Sequence, residues 1–113
     1  MSFPQRGEIW WVDFEPSIGT EIKKTRPALV ISNDIANQKT TKISLMPMTS
    51  KIKTFPFTVT VEPTKENGLK TISLIKIPDI CTFDKKRFKE KIGNLSTKIL
   101  KEVEDKLRLH LNL

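Results

Sequence analysis

The chain has one cysteine, one histidine and four scattered glycines, and each scarcity closes off a kind of chemistry. Cys81 alone cannot form an intramolecular disulfide, which fits a reducing compartment. Cys81 and His110 cannot complete a zinc site without carboxylates, and no Asp or Glu residues cluster at a ligand spacing. A two-histidine acid-base mechanism is impossible within one such chain. The dispersed glycines form no Gly-rich turn, so phosphate loops and dinucleotide fingerprints are missing too. Neither a metal nor a cofactor is expected. Met1-Ser2-Phe3-Pro4-Gln5-Arg6-Gly7 contains no apolar signal core, and no later run approaches membrane-spanning length. The expectation is a cytoplasmic protein with no membrane partner. No repeat or low-complexity linker marks a boundary, so residues 1–113 read as one domain.

What is present is a modest core and an excess of positive charge. A chain of 113 residues with 37% hydrophobic content can bury one core. Twenty basic residues against thirteen acidic leave a formal charge of +7, which makes nucleic acid or another polyanion the natural partner. An inert basic surface, or one matched to an acidic protein, is the plainer alternative.

Ile9-Trp10-Trp11-Val12-Asp13-Phe14 is aromatic and β-branched and reads as a first strand, closed by Pro16 and Gly19. A second strand runs from Ala28 to Ser32, and Asn33-Asp34 caps a helical turn over Ile35 to Gln38. Ile43 to Pro47 is the third strand and delivers Met48-Thr49-Ser50 at its end. Phe57, Val59 and Val61 alternate with Thr58 and Thr60 as a half-buried strand. Glu62 to Gly68 is a turn, and Thr71 to Thr82 is β-rich and bent or bulged near Pro78. Asp84 to Phe88 forms a helical turn before a short strand at Ile92 to Leu95. Ser96 then caps a closing helix whose Leu100, Val103, Leu107 and Leu111 share one stripe. That stripe reads as core packing or a self-association face. Trp10 and Trp11 point to opposite faces of the first strand, one toward the core and the other toward a dimer or ligand. The fold class is mainly β: a small, strongly curved antiparallel sheet or SH3-like partly open barrel with short helices and a C-terminal helix.

Two stretches carry candidate chemistry. Gly19-Thr20-Glu21-Ile22-Lys23-Lys24-Thr25-Arg26 puts one carboxylate and three cations on a loop that runs directly into Pro27 and an apolar strand. Packing does not account for such a loop, whereas a site held by a rigid strand does. If strands two and three are antiparallel, Arg26 at the start of one lies beside Thr49 and Ser50 at the end of the other. A guanidinium and two hydroxyls suit a phosphodiester and the charge that develops on its oxygens. The plainer readings are an ordinary turn for Thr49-Ser50 and an exposed ion pair for Glu21 and Arg26. Pro78-Asp79 with Asp84-Lys85-Lys86 echoes a metal-nuclease signature, but four intervening residues do not allow the two facing strands it needs.

Arg6-Gly7-Glu8-Ile9-Trp10, Asp13-Phe14-x-Pro16, Gly19-x-Glu21, Arg26 through Asp34 and Pro47-x-Thr49-Ser50 stand in the order and spacing of the MazF/PemK toxin family. The likeness continues through Thr82 to Phe88, Lys91 to Ser96 and the final helix, so the chain resembles that family over nearly its whole length. The resemblance implies a compact β-barrel-like homodimer that works as a toxin of a type II toxin-antitoxin pair. It further implies a metal-independent endoribonuclease, an mRNA interferase, that cuts single-stranded RNA at short sequences. In that chemistry the 2′-hydroxyl attacks the adjacent phosphorus and leaves a 2′,3′-cyclic phosphate and a 5′-hydroxyl. By position, Arg26 stabilises the pentacoordinate phosphate, Thr49 binds the scissile phosphate, and Glu21 assists the base. Ser50, Lys51 and Lys53 on one loop and Lys23 and Lys24 on the other are expected against RNA, together with Thr20, which stands where some relatives use a histidine. An acidic antitoxin is the implied protein partner.

The sequence also departs from the family. The arginine frequent before Thr82 is replaced by Cys81, and the acidic residue proposed as base in some members by Pro78, with Asp79 one position late. In a strand one position means the opposite face. Either a bulge near Pro78 returns Asp79 to the site or another group is the base. Cys81 reads as a small buried residue. Two other functions stay open at this point: a noncatalytic toxin of the same fold that binds DNA gyrase, and an RNA-binding regulatory module.

Overall fold

The computed structural model describes residues 3–14 and 25–113. In chain order the elements are β1 (Glu8–Asp13), β2 (Thr25–Val30), α1 (Asp34–Lys39), β3 (Lys42–Thr49), β4 (Thr58–Val61), β5 (Ser73–Lys76), β6 (Cys81–Asp84), β7 (Phe88–Asn94) and α2 (Thr97–Leu111). Two short 3-10 turns, Ile77–Asp79 and Lys85–Arg87, interrupt the second half. All the pairings are antiparallel, and the strands follow the order β4-β5-β3-β2-β1-β7 in one open sheet. β6 is added on β3.

β3 is the long strand around which the sheet bends. β6 pairs with its first half, from Lys42 to Leu45, and β5 with its end, at Met48 and Thr49. The chain passes from β5 to β6 through the Ile77–Asp79 turn, where Pro78 sits without needing a ladder donor. The bend in the Thr71 to Thr82 segment is therefore a 3-10 turn rather than a bulge.

Alternation along β1, β2 and β3 sends side chains into two cores. Ile9, Leu29, Met46 and Met48 join Val59, Ile75 and Val103 on one face, while Val12, Ala28, Val30, Ile43 and Leu45 meet Phe88 on the other. Burial on both faces explains why these strands are apolar runs. The α2 stripe closes the first core: Val103 is fully buried, and Leu100 and Leu107 pack against that cluster. Leu111 leaves it and is 48% exposed. Ser96 Oγ accepts from the Ile99 amide at 3.2 Å, and Asn33 Oδ1 accepts from the Ala36 amide at 2.9 Å, so both expected N-caps form.

Three boundaries differ from the sequence reading. Phe57 has φ 58° and belongs to the turn before β4, so the paired strand starts at Thr58. β7 begins at Phe88, directly after the turn capped by the Asp84 carboxylate on the Lys86 amide at 3.0 Å. β2 begins at Thr25, which places Arg26 and Pro27 inside a strand rather than before it. Pairing of β2 with β3 begins at Ala28, one residue past the missing proline donor.

Candidate active site

The site is fixed by the register between β2 and β3. Ala28 lies opposite Pro47, Leu29 opposite Met46 and Val30 opposite Leu45. Carried on by two residues, this register leads to Arg26 on β2 and Thr49 on β3. The pairing itself ends at Ala28–Pro47, and Arg26 and Thr49 meet as common lining of one cleft. Both residues are half-buried. Thr49 Oγ1 also accepts from the Lys51 amide at 3.1 Å, which fixes the turn that carries Ser50 and Lys51 away from β3.

Beside Arg26 and Thr49 opens a cleft of about 480 Å³, large enough for a small organic ligand. Arg26, Thr49, Ser50 and Lys51 line one side of it. Trp11, Pro27 and Met48 line it too, and the Gly68 to Thr71 segment forms a further wall. Three cations, Arg26, Lys51 and Lys70, border the cleft, and no carboxylate is among its described lining. Such a wall selects an anion. Among the described residues no three His, Cys, Asp or Glu side chains are grouped where they could hold a metal ion.

The Gly68 to Thr71 wall is stiff. The Asn67 side chain is buried, its Oδ1 accepts from the Thr64 and Leu69 amides at 3.0 and 2.9 Å, and its Nδ2 donates to the Glu62 carbonyl at 2.9 Å. Gly68 has φ +68°, and a Cβ there would lie 2.3 Å from the Ile92 carbonyl oxygen. Only glycine allows the wall to sit so close to β7.

This arrangement, an arginine and a threonine lining one cationic cleft, is found in a chain that matches the PemK-like, MazF-like toxins of type II toxin-antitoxin systems over residues 5–111. The chain belongs to that family. It is 37% identical over 115 residues to endoribonuclease MazF9 of Mycobacterium tuberculosis (strain ATCC 25618 / H37Rv), covering 96% of this chain and 97% of that protein. Endoribonuclease EndoA of Bacillus subtilis (strain 168) is 32% identical over 110 residues, covering 96% and 95%. The crystal structure of MazE-MazF from Deinococcus radiodurans has the same fold, with a TM-score of 0.83 at 30% identity over 97% of this chain and 96% of that one.

Within this MazF/PemK chain, Arg26, Thr49, Ser50 and Lys51 come together at the cleft. Lys53 is exposed two residues further along the same loop and does not line it. Asp79 does not reach the cleft either. It is exposed in the 3-10 turn between β5 and β6, where its Oδ2 lies 3.2 Å from Lys76 Nζ. Thr20, Glu21, Lys23 and Lys24 lie outside the described residues. Cys81 is half-buried at the start of β6, and burial, with a smaller contribution from the Asp79 carboxylate, pushes its thiol pKa up. His110 packs its ring 5.5 Å from that of Phe57 at the end of α2.

Lys70, Thr71 and Trp11 also line the cleft, and the sequence reading did not assign them to it. Alternation does separate Trp10 from Trp11, yet it leaves open which of the two faces the cleft. Nothing in the composition of the 62–72 segment marks Lys70, because its position depends on the Asn67 and Gly68 contacts.

Proposed function

We propose that this toxin cleaves single-stranded RNA by attack of a ribose 2′-hydroxyl on the adjacent phosphorus, without a metal ion. The observation that carries the reading is that Arg26 and Thr49 line one cleft whose described charged lining is cationic. The relatives named endoribonuclease support the same chemistry and do not favour a gyrase-binding role. Thr49 holds a nonbridging oxygen of the scissile phosphate. Arg26 neutralises the pentacoordinate phosphorane and delivers a proton to the departing 5′-oxygen as its bond to phosphorus breaks. A carboxylate takes the proton of the attacking hydroxyl. Glu21, on the segment that leads into β2, fits this part better than Asp79, whose position outside the cleft argues against it. The products are a 2′,3′-cyclic phosphate and a 5′-hydroxyl.

The working form in this reading is a cytoplasmic homodimer of a single domain spanning residues 1–113. Among the described residues no helix is long and apolar enough to cross a membrane. The +7 charge supports an acidic antitoxin segment as the partner that covers the cleft. The MazE-MazF assembly of the Deinococcus relative is consistent with such a partner. The reading is tested by incubating purified protein with a long single-stranded RNA in EDTA, beside Arg26→Ala and Thr49→Ala. Cleavage that persists in EDTA and disappears in both variants supports it. Intact RNA with inhibited gyrase, or RNA held but uncut, overturns it in favour of one of the two binding roles.

A further inference from the structure

We propose that the cleft holds a second nucleotide subsite beside the scissile phosphate, in which Trp11 stacks on an RNA base and Lys70 pairs with the neighbouring phosphate. The proposal rests on the RNA-cleaving reading and adds to it a second position along the strand.

Trp11 comes from the middle of β1, opposite Pro27, yet is 39% exposed. Its neighbour Trp10 is occupied on the other face, with its ring edge-on to Phe88 at 6.3 Å and its Nε1–H donated to Glu8 at 2.8 Å. The exposed indole therefore adds a flat aromatic surface to a cleft that also presents hydroxyls and cations. An RNA base is an aromatic plate attached to an anion, and it matches both halves of that surface. Alternation places Trp11 and Arg26 on opposite faces of the sheet, with the cleft bordering both. A strand whose phosphate is seated on Arg26 and Thr49 must turn over the sheet end to reach the indole, which splays one base away from its neighbour. Unstacking of this kind is how single-stranded RNA is generally read.

Lys70 lines the same cleft as Lys51, on the wall fixed by Asn67 and Gly68. Its backbone is thus held relative to Trp11, while its flexible stem lets the ammonium follow a phosphate. An acidic peptide would also meet the lysine, but it would not need a tryptophan plate beside it.

The test maps a cleavage position with wild-type protein and remakes that RNA with 2′-O-methyl groups, which remove the attacking hydroxyl. Binding is then followed over a salt series. Trp11→Ala is expected to weaken binding about 5- to 100-fold, with Trp11→Phe close to wild type. Lys70→Ala is expected to lower the salt slope of log K by about one, and Lys70→Arg to restore it. Lys70 is exposed, so its variants test the subsite without disturbing the fold. Wild-type affinity and salt slope in both Ala variants overturn the proposal while leaving the ribonuclease reading intact. So does a loss confined to binding of an acidic peptide. If wild-type protein cuts no RNA, it is the ribonuclease reading that fails.

Discussion

Arg26 of β2 and Thr49 of β3 line one cleft, each two residues beyond the last β2–β3 pair, Ala28–Pro47. Both have strand partners on their other side, Arg26 opposite the fully buried Val12 of β1 and Thr49 opposite the buried Leu74 of β5, which fixes their backbone positions. A charge placed in this way needs little reorganisation when the phosphorane forms. Arg26→Ala is therefore predicted to lower kcat by about 10²–10³-fold, with KM changed less. Arg26→Lys is predicted to recover only part of the loss, because an ammonium lacks the planar fork that spans two phosphate oxygens. Single-turnover cleavage at saturating RNA measures both.

A second prediction concerns the base. Asp79 forms an exposed ion pair with Lys76 at 3.2 Å, worth little in stability, and it lies off the cleft. Asp79→Asn is predicted to leave cleavage within about threefold of wild type. Glu21→Gln is predicted to slow kcat by about 10²-fold and to remove the acid limb of the pH–rate profile, since the neutral amide cannot accept the proton. The reverse outcome, with Asp79→Asn carrying the loss of the acid limb, would move the base to the β5–β6 turn.

The unequal standing of these residues shows what the sequence holds and what it does not. The shared location of Arg26 and Thr49 was legible because strand patterning located Ala28 and Ile43, and antiparallel pairing puts the start of one strand beside the end of the other. Capping residues Asn33 and Ser96 were legible for the same reason, as both act within a few residues of themselves. The wall at Lys70 was not, because it rests on a buried asparagine and on close backbone contact with β7, a strand more than twenty residues away. Phe57 misled because alternation continues through a residue whose φ is 58°, and side-chain pattern is blind to backbone sign.

Cys81 gives a chemical prediction. Burial, and secondarily the Asp79 carboxylate, raise its pKa, so the thiol carries less thiolate at neutral pH than an unperturbed cysteine does. Alkylation of the folded protein by iodoacetamide at neutral pH is predicted to be slower than that of free cysteine. It should accelerate as pH rises past the ordinary thiol range. Asp79→Asn is predicted to raise the rate modestly, and denaturant to raise it more, in the order of the two causes. A rate equal to or above that of free cysteine in native protein would contradict the inertness assigned to this side chain.

The last prediction separates the wall from Arg26 and Thr49. A Cβ on Gly93 would lie 2.4 Å from the Glu66 carbonyl oxygen and 2.4 Å from the Asn67 carbonyl carbon, both of them backbone atoms that cannot rotate aside. The adjacent Asn94 amide donates to that same Glu66 oxygen at 2.8 Å, so the clash cannot be relieved without moving the segment that leads to Lys70. Gly93→Ala is predicted to destabilise the fold by about 1–3 kcal/mol, as overpacking does, and to displace the wall while Arg26 and Thr49 stay in place. Its kinetic signature is a raised KM with kcat nearly intact, which is the mark of lost binding shared by ground and transition states. Ile43→Ala provides the control, because it opens a cavity in the second core, none of whose buried members is among the cleft's described lining. A comparable loss of stability there, measured by denaturant titration, should leave KM unchanged.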